Sequence, residues 1–245
     1  MVMPCLIYSV FRHVKDGPDS LPPGVSGHAV HALEQDGMWV AYSRDEDPGC
    51  TDITQKALQF FQVNDALFRM PDIPSTLPFR YQGVVMPESS IQTWVHRHRE
   101  HLRRILDEVH GCVEMGLRLL RDREEDKPPI SEADHPPEDS SGLAYLRSRK
   151  KAYHHQIVDE ENLEKVVQSI TAHFSGHYLS LQTEGMHGKR LTLPGLNFLI
   201  DQGCRTSFEE RFHALSLPDW KVMMTGPWPP YNFVSQEVVD YADRG

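Results

Sequence analysis

Histidine and cysteine are the side chains best suited to metal or nucleophilic chemistry, and their spacing in this chain bounds what they can do. His96, His98 and His101 lie close together. On a helix, His98 and His101 fall nearer one face than His96 and His98 do, so a solvated amphipathic helix accounts for them more economically than a metal site. His154 and His155 are adjacent and point differently. Cys5, Cys50, Cys112 and Cys204 are far apart and form no C-x-x-C pair, which excludes a zinc knuckle and a thioredoxin-like motif. Cys112 and Cys204 have no sequence-local acid-base partner to activate a thiol. Isolated thiols are expected, with no metal and no cofactor.

Polar pairs and aromatics offer binding rather than catalysis. Glu114 and Arg118 stand at i and i+4 of a strand-like run, on one pleated face, where they suit a polar bridge or a partner contact. Arg147, Arg149, Lys150 and Lys151 form a short positive cluster. On a helix Arg147 and Lys151 share a face, facing solvent, the acidic 122–139 segment, another subunit or an acidic partner. In TGPWPPYNFV, residues 225–234, three prolines restrict the path and Gly226 permits a turn. Trp228, Tyr231 and Phe233 there suit either an apolar brace between parts of the chain or direct partner binding.

These groups need elements to position them. Residues 5–11, 28–30 and 38–42 read as strands, the last two joined by the Asp36-Gly37 turn. A helix capped by Thr51 or Thr54 runs toward Met70, with Asn64-Asp65 as an interruption. A strand is expected over 79–86. Ile91, Trp94, Val95, His98, Leu102, Ile105, Leu106 and Val109 mark a helix over 89–109, with Gly111 as its stop. Residues 112–120 form a strand. Helices follow over 141–155 and 161–174, then strands over 177–184 and 191–201, a helix over 208–215, and a strand over 219–228.

The fold class expected is α+β in two domains. An N-terminal α+β domain spans 1–111. A second domain spans 112–228 with a broken or extended first helix and the strand-helix-strand-strand-helix-strand order of a ferredoxin-like unit. It includes an exposed acidic loop, 122–139, with eight acids against two bases. Residues 229–245 form a tail bracing the domains.

Across 245 residues the formal charge is -10, with 39% hydrophobic residues, which suits a globular protein and disfavours a broad nucleic-acid footprint. No run reaches the roughly 20 apolar residues that cross a bilayer, so no lipid membrane partner is expected. Asp16, Pro18 and Asp19 stand where a signal sequence would be apolar. The cytoplasm is the expected location.

Four blocks carry a family resemblance: LPFRYQGVVMPE at 77–88, VEMGLRLL at 113–120, GLAYLRSRK at 142–150 and VMMTGPWPPYNFV at 222–234. They resemble the PxRFGxV region, the E-hydrophobic-G strand, the GxAYLxxRK helix start and the terminal TGPWPPYSFV segment of the GvpF/GvpL family of gas vesicle proteins. Asn232 stands at the usual Ser position, and Tyr81-Gln82 departs from the usual Phe after Arg80.

The resemblance implies a non-enzymatic accessory protein of gas vesicle assembly, located in the cytoplasm and at the gas vesicle. It implies contact with the small hydrophobic shell protein and with other gas vesicle accessory proteins. Arg80, Glu114, Arg118, Arg147, Lys151, Trp228, Tyr231 and Phe233 are the candidate interface or brace residues. Two other readings stand beside it, a minor structural component of the shell and a metabolite enzyme whose site is assembled from distant residues.

Overall fold

The computed structural model describes residues 4–13, 17–18, 20–44, 52–121, 162–185 and 194–234. The acidic segment 122–139, the helix expected over 141–155, the cluster of Arg147, Arg149, Lys150 and Lys151, the His154-His155 pair, Cys50 and the tail from 235 lie outside them. The described residues build an α+β fold around two antiparallel sheets.

The first sheet is organised by its central strand β1, Pro4–Arg12, flanked by β3, Met38–Arg44, on one side. Helices α1, Ile53–Phe68, and α2, Glu88–Glu108, both pack on β1. Every residue from Cys5 to Phe11 is therefore buried, and the run CLIYSVF has no reason to alternate. α2 follows the expected apolar stripe, with Ile91, Trp94, Val95, Leu102, Ile105 and Leu106 inward. Its last turn is tied to the end of β1 by Arg12 and Asp107 at 2.6 Å.

Three sequence expectations need correction here. The strand placed at 28–30 begins later, as β2, His31–Gln35, which pairs with β3 across the Asp36-Gly37 turn. Residues 24–28 instead close a loop through Gly24 N–H donating to the His28 carbonyl, and Val25 N–H donates to Tyr8 Oη. α1 is capped by Asp52, whose Oδ1 accepts from Gln55 N–H, and Asn64 does not break it. Asn64 is buried and its Nδ2 donates to the Phe79 carbonyl.

The third correction shapes the candidate site. Of the strand expected over 79–86 only residues 85 and 86 are strand, in β5, Val85–Pro87, while β4, Ser75–Pro78, forms just before that span, both laid along the same side of β1. Between them the chain loops out. Phe79 N–H donates to Tyr8 O and Ile7 N–H to Val84 O, while Gly83 N–H closes a turn on Arg80 O with Gln82 at φ 58°. Pro78 has no N–H to continue the ladder, and β1 itself shifts register between Ile7 and Ser9. This excursion carries Arg80 away from its own sheet.

The second sheet runs β7-β8-β6-β9, with β6 Cys112–Arg121, β7 Ser180–Glu184, β8 Gly195–Asp201 and β9 Trp220–Trp228. Helical residues 162–173 (α3) and α4, Arg205–His213, accompany it. Val113, Met115, Leu117 and Leu119 alternate into a core with Phe198 and Ile200. Phe174, Phe198 and Phe208 pack as a trio with centroids 4.4 to 5.4 Å apart.

The sheets interlock. Leu199 of β8 belongs to the first core, and Phe68 of α1 packs on the second. Gly111, at φ 67°, joins them: its N–H donates to Pro74 O and its carbonyl accepts from Gln202 N–H.

Phe208 is fully buried at the centre of the trio. Phe208→Ala is expected to destabilise the protein by about 3–5 kcal/mol in urea unfolding, through lost transfer energy and the cavity left behind. Leu179→Ala, at a side chain 65% exposed, is expected to stay within about 0.5 kcal/mol of the parent.

Candidate functional site

Because β6 sends its odd positions into the core, Glu114, Gly116, Arg118 and Leu120 line the opposite face of the second sheet. Glu114 and Arg118 do share that face, as their spacing required, but they do not bond to each other. Glu114 is 4% exposed, and its two oxygens accept from Asn232, at 2.9 Å from the backbone N–H and 2.7 Å from Nδ2. Arg118 donates through Nη1 to Asn197 Oδ1 at 3.1 Å and through Nη2 to Glu184 Oε2 at 3.2 Å.

Arg80 joins the two halves. Its Nη2 donates to Asn232 Oδ1 at 2.9 Å, and it lies 3.8 Å from Glu184 Oε1. The result is a chain of contacts, Glu114–Asn232–Arg80–Glu184–Arg118–Asn197, with Arg80 supplied by the first sheet's loop and the rest by the second sheet and the segment after it. Arg118 lies flat over Gly195, where a Cβ would stand 2.0 Å from Nη1. Gly226, at φ 112°, lets the backbone pass so close that a Cβ would meet the Glu114 carbonyl at 2.7 Å.

The aromatics after this point turn inward. Trp228 meets Phe61 of α1 edge-on, with centroids 5.6 Å apart, and Tyr231 stacks on Phe61 at 5.8 Å. Phe233 and Val234 pack on the first core. Burial pushes the Tyr231 phenol well above its ordinary pKa.

The other candidates for chemistry disperse. His96 Nδ1 sits 2.9 Å from Asp36 Oδ2, His98 lies against Trp94, and His101 contacts Arg104. Among the described residues no three His, Cys, Asp or Glu side chains are placed to hold a metal ion. Burial is the largest influence on the Cys5 and Cys112 thiols and raises both, away from the thiolate a nucleophile needs. Cys204 is exposed.

Sequence reasoning missed Phe61, Glu184, Asn197 and Asn64. Phe61 left a trace, because Leu58, Phe61 and Phe68 form a second apolar stripe on α1 beside the buried Phe60, Val63 and Leu67. The polar residues left none, since Glu184 and Asn197 meet Arg118 across 66 and 79 residues and Asn64 reaches the Phe79 carbonyl across 15.

Glu114 makes this geometry measurable. Burial, the largest influence, raises its carboxyl pKa above 4.5, and the Asn232 donors oppose the rise only in part. Between the unfolded and the raised folded pKa the native state holds the proton that the unfolded state has lost, so stability falls as pH rises from about 4.5 through that window. Glu114→Gln is expected to lack this fall in unfolding experiments across pH. Asn232→Ala is expected to lose about 1–3 kcal/mol at pH 7 by leaving a buried carboxylate with a single donor.

Comparison with known proteins places this geometry. The family model described as gas vesicle synthesis protein GvpL/GvpF matches residues 4–235. Gas vesicle protein L of Streptomyces sp. (strain CB03234) is 25% identical over 183 residues, covering 70% of this chain and 67% of that protein. The crystal structure of GvpF from Anabaena sp. PCC7120 superimposes with a TM-score of 0.66 at 14% identity, covering 95% of this chain and 96% of that one. That of GvpF from Microcystis aeruginosa gives 0.67 at 13%, covering 95% and 99%. These two structures are similar in fold. With the family's pattern matched through both sheets and the segment that joins them, the chain belongs to the GvpL/GvpF family of gas vesicle synthesis proteins, as a non-enzymatic accessory protein of gas vesicle assembly.

Proposed function

We propose that the chain assists assembly by binding the small hydrophobic shell protein through the open face of β6 and β9, at a geometry held by its own tail. The observation that carries this reading is a pair of apolar side chains on that face. Leu120 is 39% exposed and Met223 50% exposed, and Met223 stands opposite Arg118 in the β6–β9 register. Exposed apolar groups bordered by a polar network suit a hydrophobic partner. Arg80, Glu114 and Arg118 then act behind the contact, and Trp228, Tyr231 and Phe233 act as the brace.

The same reading divides the chain into domains 1–111 and 112–228 with the tail from 229 across them. The order β7-β8-β6-β9, in sequence terms second, third, first and fourth strand, supports a ferredoxin-like second domain. Residence at the gas vesicle follows from the same proposal.

A pull-down of the purified protein against the shell protein tests it. The double variant Leu120→Glu, Met223→Glu is expected to keep the parent's circular dichroism and to weaken binding at least about tenfold, since charges placed in an apolar contact must be desolvated. Trp228→Ala is expected to lower thermal stability as well as binding. Failure of the folded parent to bind a competent shell protein would sink the direct contact.

A further inference from the structure

A cleft of about 460 Å³ opens where the two sheets meet, on residues that no part of the network above uses. Its volume lies in the range of binding pockets. Met70, Ile73, Val109 and Val113 supply apolar wall, and Pro71, Pro74, Pro227 and Pro230 make much of the rest. Those rings fix the local backbone, so the cleft is formed before anything enters it.

Its charge is opposite to that of the chain. The protein carries -10 overall, yet among the described residues the cleft is lined by Arg69 and Arg205 and by no Asp or Glu. Each guanidinium is held from outside through Nε only, Arg69 by Asp65 at 2.8 Å and Arg205 by Glu209 at 2.7 Å. Those carboxylates orient the two forks, and among the described residues the Nη groups have no hydrogen-bond acceptor. A guanidinium fork with free Nη donors matches a carboxylate. Two residues of the lining, Ser75 and Thr76, are also 4% and 3% exposed with hydroxyls that have no hydrogen-bond partner.

We propose that this cleft binds a short extended segment of a partner protein in which carboxylates alternate with aliphatic side chains. The aliphatic groups fill the space between the proline walls, and the carboxylates pair with Arg69 and Arg205. This site is separate from the shell-protein contact and stands or falls without it.

The probe is the blocked peptide acetyl-Val-Glu-Val-Glu-amide, titrated calorimetrically into the full chain. Saturable binding is expected, weakened by added salt. The Arg69→Gln, Arg205→Gln double variant, folded by circular dichroism, is expected to bind at least about tenfold more weakly, as is the parent with the Gln-for-Glu peptide. No saturation at millimolar peptide, equal affinity for the Gln peptide, or undiminished affinity in the double variant would each overturn the proposal. Tighter binding by the full chain carrying Glu237→Gln, Asp240→Asn and Asp243→Asn would give the cleft to the chain's own acidic tail and overturn the partner reading.

Discussion

A carboxylate buried in a sheet face must find donors, and Glu114 finds both of its own in one residue, Asn232, 118 positions away. An ionised group left without them would be costly to bury, so this pair constrains where the chain can go after β9. Gly226 must pass beside the Glu114 carbonyl, and the following prolines must lead Asn232 back over the sheet. Once Asn232 is seated, Tyr231 and Trp228 reach Phe61 and Phe233 reaches the first core.

The same residue also links the sheets. Asn232 uses backbone N–H, Nδ2 and Oδ1 at once, the last accepting from Arg80. The resembled family segment has serine here, whose side chain is one hydroxyl and cannot span both neighbours in the same way. Arg80 is available only because the chain between β4 and β5 leaves the sheet. A register irregularity in one sheet and a residue after the other that donates twice and accepts once thus meet in a single polar chain.

This construction suits an accessory protein of an assembly better than a catalyst. Its perturbed groups are engaged in holding elements together: buried Glu114 to Asn232, buried Tyr42 to Glu88, and the more exposed Glu88 in turn to Arg44. The binding surfaces proposed here instead lie where side chains have spare valence, apolar on the β6–β9 face and cationic at the junction cleft.

What the sequence by itself determined was local. The α2 stripe, the Asp36-Gly37 hairpin, the alternation of VEMGLRLL and the α+β order follow from side-chain periodicity and turn chemistry, which act over a few residues. The shared face of Glu114 and Arg118 was legible for the same reason, because strand geometry alone dictates it. The interruption expected at Asn64 did not occur, since its amide finds the Phe79 carbonyl and satisfies itself within the fold. The loop over 79–84, between two short strands in place of one, depended on pairing with a bulged β1. Only the tertiary structure decided that Glu114 pairs with Asn232 rather than Arg118, that the aromatics close on Phe61, and that two distant arginines share one cleft. Those contacts join residues far apart in the chain, and their partners are chosen by which surfaces the packed sheets bring together, which no local pattern encodes.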